Sequence, residues 1–91
     1  MNSDTKTASM KRLARIEGQV RGVSKMISED RYCIDVIRQV QAIKAALSGL
    51  EKVVLEDHID SCVETALASE EIATRREKVE ELVAVLSGNK R

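Results

Sequence analysis

Apolar residues recur along this chain in steps of three and four. Leu13, Ile16, Val20, Val23 and Ile27 are spaced 3, 4, 3 and 4, which puts them on one side of a helix as a heptad-type seam. The pattern predicts a first helix from about Thr7 to Ser28, with Lys11, Arg12, Arg15, Gln19 and Arg21 off the seam and facing outward. Gly18 and Gly22 are poor helix formers at i, i+4 and mark an expected close approach to a neighbour. Ser28-Glu29-Asp30 is a polar break, and the Asp30 carboxylate is placed to cap the element that follows. A second stripe, Val36, Val40, Ile43, Leu47, Leu50 and Val54, alternates steps of four and three, and two further steps of four reach His58 and Cys62. That predicts a helix from about Tyr32 to about Ala68, long for a globular protein and suited to a bundle or coiled coil. Thr74-Arg75-Arg76-Glu77 reads as a capping box ahead of Val79, Leu82 and Leu86, so a third helix is expected from Arg75 to Ser87, closed by Gly88. Residues 1–6 and 88–91 are polar and are expected to be flexible tails.

Composition narrows the class. The chain has 91 residues, no proline and one aromatic residue, Tyr32, so a single all-α domain is the expectation. A chain this short buries only a modest core alone, which favours oligomerisation. Net charge is zero, yet residues 1–31 carry seven Lys/Arg against four Asp/Glu, whereas residues 53–91 carry five against nine. A basic first third is able to meet phosphates, although solvated helix faces have the same look. No stretch has the length and apolar character of a membrane span or a secretory signal, so a cytoplasmic protein with reduced thiols is expected.

The chemistry-bearing residues are Cys33, His58 and Cys62. His58 and Cys62 lie four apart, one helical turn on a shared face, so an imidazole and a thiolate are able to reach one ion. Sulfur ligands favour copper(I), zinc or iron–sulfur clusters. Two sulfurs and one nitrogen make a three-coordinate set that suits copper(I); a fourth ligand such as a carboxylate would reopen zinc. By spacing alone the pattern is also that of small buried cysteines and a satisfied core histidine.

Geometry adds a constraint. On one continuous helix, 25 residues between Cys33 and His58 correspond to about 38 Å, so the two cannot share an ion within one chain. Two such helices packed antiparallel in a symmetric dimer bring Cys33 of one protomer beside His58 and Cys62 of the other, giving two identical sites. Their crossing point falls near residue 47, among Ala42, Ala45, Ala46, Ser48 and Gly49, small residues that permit close approach. Catalytic chemistry has no comparable support: the chain has no Gly-rich phosphate loop, no CxxC pair and no nucleophile–base arrangement with an obvious oxyanion-stabilising loop. It is not expected to be an enzyme.

Three segments carry a resemblance: Arg15-Ile16-Glu17-Gly18-Gln19-Val20-Arg21-Gly22, Tyr32-Cys33-Ile34-Asp35-Val36, and His58-Ile59-Asp60-Ser61-Cys62. Together they resemble the CsoR/RcnR family of copper-sensing transcriptional repressors, over a span from about Lys11 to Leu86. The resemblance implies a three-helix protomer, an antiparallel four-helix-bundle dimer and a dimer of dimers. It further implies binding of double-stranded operator DNA and release on copper(I) binding to an intersubunit site of Cys33, His58 and Cys62. Tyr32 and Glu81 match positions thought to couple that site to DNA release, and Arg12, Arg15, Gln19 and Lys44 fall where relatives carry DNA-contacting or allosterically important groups. The single histidine argues against the nickel/cobalt branch, and Cys62 against the formaldehyde branch. The alternative within the same fold is a repressor sensing persulfides and other reactive sulfur through Cys33 and Cys62, against which His58 argues.

Overall fold

The computed structural model describes residues 1–60 and 64–88. Its helices are α1 (Ser3–Ser28), α2 (Cys33–His58), α3 (Glu64–Leu67) and α4 (Ile72–Leu86). Helix is the only regular structure among the described residues, as expected, but it comes in four elements rather than three. The chain forms two compact units, residues 1–55 and 56–91.

The first unit is a helical hairpin. α1 begins at Ser3, four residues ahead of the expected Thr7, because the Asn2 side chain accepts the Thr5 N–H at 2.8 Å and caps it. Most of the expected N-terminal tail is therefore helical. At the other end Asp30 does not cap α2. It adopts φ 53° and closes α1, its N–H donating to Ile27 O at 3.1 Å and the Arg31 N–H to Met26 O at 3.0 Å. This is the paired closure in which a left-handed residue satisfies the last helical carbonyls. α2 then starts with Asp35 and Val36 donating to the Tyr32 carbonyl.

The left-handed position yields a first prediction. Aspartate is tolerated there less well than glycine, and its charge sits at the negative end of α1. Asp30→Gly is expected to stabilise the protein by about 0.5–1 kcal/mol. Thermal unfolding at fixed protein concentration measures it; a lower midpoint than the parent would contradict this account of the turn.

The apolar seams divide. In α1, Ile16 is 6% exposed and Val23 half-buried, whereas Leu13, Val20 and Ile27 are exposed. In α2, Val36, Ile43 and Leu50 are half-buried, whereas Val40 and Leu47 are exposed at 41% and 45%. The steps of four and three thus separate into an inner and an outer set, each at sevenfold spacing. Arg12 lies 16 residues before the end of α1 and its Nη1 approaches Gly49, 16 residues after the start of α2. That equal spacing is the register of an antiparallel pair.

The second unit holds the largest departure from the sequence pattern. The helix expected to reach Ala68 ends at His58 and opens into a π-helical turn at Ile59 and Asp60. The local cause is composition: His58, Ile59 and Asp60 are mediocre α-helix formers in succession; Cys62, on which the expected stripe ended, lies outside the described residues. α3 packs against α4, and Ala66 is buried. The capping box at Thr74 does not form either. α4 starts at Ile72, three residues before the expected Arg75, because the Ser69 hydroxyl accepts the Glu71 N–H and turns the chain earlier. The Thr74 hydroxyl, inside the helix, donates to Glu71 Oε2 at 3.0 Å. Gly88 takes φ 78° and donates to Val85 O, the closing role expected of it.

Candidate metal site and basic surface

Cys33 is the first residue of α2, an exposed free thiol. It borders a recess of ≈ 310 Å³ lined by Ile27, Asp30, Arg31, Val36 and Ile37, at the turn that Asp30 closes. Tyr32, immediately before it, is 69% exposed and fixes the turn through its carbonyl. His58 ends the same helix. Cys33 and His58 therefore occupy opposite ends of one element. Among the described residues no three His, Cys, Asp or Glu side chains of one chain assemble into a metal-binding group. Cys62, the third expected ligand, lies outside the described residues.

Within the second unit the structure brings His58 and Glu81 together. His58 Nε2 stands 3.9 Å from Glu81 Oε1, and Lys78 Nζ is 3.8 Å from Glu81 Oε2. Both separations are longer than a hydrogen bond. α4 supplies both partners from one face, since residues three apart on a helix are neighbours. The part played by Lys78 was legible only as that i, i+3 spacing to Glu81. The Glu81 carboxylate is thus the acidic group nearest the Nε2 side of the His58 ring.

Helical register also explains what joins the two ends of α2. Cys33, Val40 and Leu47 are spaced by sevens, Val54 continues the series, and His58 lies one turn further on the same side. Val40 and Leu47 are exposed, so within the first unit this side of the helix presents the thiol followed by an apolar stripe.

The expected DNA-contacting residues fall in the first unit. Arg12, Arg15 and Lys44 are exposed. Gln19 departs from expectation: it is half-buried, and its Oε1 is shielded without a hydrogen-bond partner. Arg21, also expected to face outward, is committed to Glu17 by an i, i+4 ion pair of 2.9 Å. The glycines need reinterpretation as well. Around Gly22 there is open space, and near Gly18 the Arg21 guanidinium of the same helix, so neither marks a close approach within the chain. Gly49, expected at a crossing between protomers, has Arg12 of its own chain beside it.

Comparison with known proteins gives one consistent picture. A family model described as metal-sensitive transcriptional repressor matches residues 5–88. The copper-sensing transcriptional repressor RicR of Mycobacterium tuberculosis is 50% identical over 58 residues, covering 64% of this chain and 60% of that protein. The copper-sensing transcriptional repressor CsoR of Bacillus subtilis is 44% identical over 68 residues, covering 75% of this chain and 67% of that protein. Among solved structures, the copper-sensing repressor CsoR with Cu(I) from Geobacillus thermodenitrificans superimposes with a TM-score of 0.85 at 40% identity, covering 97% of this chain and 88% of that one.

Proposed function

This chain belongs to the metal-sensitive transcriptional repressor family, and from that premise we propose that it is a copper(I)-responsive repressor that binds operator DNA without metal and releases it when copper(I) binds. The observation that carries this reading is the order of groups along one side of α2, with Cys33 at one end, exposed Val40 and Leu47 between, and His58 at the other. A stripe of that kind is self-complementary under a two-fold axis. A second copy laid antiparallel across it covers the apolar residues and sets the thiol of one chain against the imidazole of the other.

The donor set fits the ion. Thiolates from Cys33 and Cys62 with one imidazole provide the soft, low-coordinate environment that copper(I) takes. Glu81 stands beside His58 and in turn meets Lys78. Coordination at His58 then changes the charge felt by Glu81 and passes to α4. Tyr32 is the group beside the Cys33 end of the site. DNA is held by Arg12, Arg15 and Lys44, with Gln19 shaping the surface between them. The protein works in the cytoplasm as a homodimer paired into a tetramer; no described helix is long and apolar enough to cross a membrane. The presence of His58 favours the metal over the reactive-sulfur alternative, since sulfur chemistry at two cysteines makes no use of an imidazole.

An anaerobic copper(I) titration of the protein on a fluorescent duplex from the region upstream of its own gene tests the reading. Thiolate-to-copper absorption should saturate at one ion per protomer while the duplex dissociates, with affinity falling about 5–150-fold. Glu81→Gln should keep the absorption and lose most of the release. Saturation with no change in DNA affinity of the unaltered protein would refute the coupling.

A further inference from the structure

Gly49 lies in the interior of α2, where glycine weakens a helix relative to alanine. Its backbone does not take the positive φ that would require glycine. What the absent side chain makes room for is Arg12. A Cβ built on Gly49 would stand 3.1 Å from Arg12 Nη1, tighter than ordinary contact, and it meets no other neighbouring atom within 4 Å. Arg12 is exposed, and among the described residues no hydrogen bond or ion pair engages its guanidinium, in contrast to Arg21 with its Glu17 partner. The guanidinium thus lies beside the bare backbone of Gly49 with its N–H donors still available, the condition for two-pronged recognition of an anion.

We propose that Gly49 is a positioning residue: its bare stretch of backbone seats the Arg12 guanidinium at the α1–α2 surface in the orientation that meets a backbone phosphate of duplex DNA. This rests on the reading of Arg12 as a DNA contact and adds the residue that aims it. Seating the arginine in advance lowers the ordering cost that binding would otherwise carry.

Gly49→Ala, Arg12→Ala and the double variant, titrated onto the upstream duplex at several salt concentrations with thermal unfolding alongside, test the proposal. Arg12→Ala should weaken binding about tenfold and make the plot of log K against log salt shallower by about 0.9. Gly49→Ala should weaken binding at least about threefold, although helix propensity leaves it no less stable. The double variant should match Arg12→Ala. Arg12→Lys keeps the charge without the planar fork; it should also lose affinity and be indifferent to Gly49→Ala. Unchanged binding by Gly49→Ala, with weakened binding by Arg12→Ala, overturns the seat and leaves Arg12 as a DNA contact. Unchanged binding by Arg12→Ala removes that contact and the proposal with it. Additive losses in the double variant overturn it too, because the glycine would then act through something other than Arg12.

Discussion

Cys33→Ala is expected to keep operator affinity within about twofold of the parent protein while eliminating copper(I)-induced release, a loss of the whole 5–150-fold response typical of such coupling. The thiol is exposed at the first turn of α2, so its removal leaves no cavity and breaks no packing. It lies away from Arg12, Arg15 and Lys44 in sequence and makes no contribution to their charge. What it removes is one of two soft ligands, and an imidazole with one remaining thiolate holds copper(I) far less tightly. The titration on the upstream duplex reads both quantities in one experiment. Normal release by the variant would sink the intersubunit site, whatever became of its DNA binding.

Leu47→Asp should have the other large effect, on assembly. Leu47 is 45% exposed in the single chain and lies midway along the stripe from Cys33 to His58. In a two-fold pairing across α2, each such leucine loses its water-exposed surface, and a single substitution is felt twice. With 45% of each leucine still to be buried, roughly 1 kcal/mol is at stake per copy, so the loss is about 2 kcal/mol, or about thirtyfold in the dissociation constant. The carboxylate adds the further cost of an unpartnered charge in an apolar seam. Sedimentation at micromolar concentration should show a lighter species with helical circular dichroism reduced or lost, and tight stoichiometric copper(I) binding should fail with it. A variant that sediments as the parent does would mean that copies meet through some other face. The same measurement on Lys52→Glu, on a different side of α2, serves as control and should show the parental mass.

Helix as the material of the fold was plain in the chain itself. Three-and-four spacing of leucine, isoleucine and valine, the absence of proline, and Gly88 past the last turn required nothing beyond local chemistry. That Cys33 and His58 stand far apart along one helix was legible for the same reason, since the helical rise between them is a matter of counting. The errors have one origin. Asp30 and Thr74 each carry the side chain that caps a helix start, but a cap forms only where the backbone turns. Neighbouring groups decided that: Met26 and Ile27 carbonyls drew Asp30 into closing α1, and the Ser69 hydroxyl started α4 early. The apolar stripe likewise kept its period past His58, where the regular α-helix ends.

Spacing also placed the inner and outer apolar sets on a single seam, because one helix viewed alone has no inside. Packing of α2 against α1 separated Ile16 and Val23 from Leu13, Val20 and Ile27. Periodicity, capping chemistry and ligand type are properties of a chain segment and can be read from its residues. Which face meets which neighbour, that Glu81 approaches His58, and that Arg12 comes to lie beside Gly49 depend on contacts between segments far apart along the chain. Those contacts are selected by the collective burial and shape of whole helices, to which no local pattern of residues corresponds.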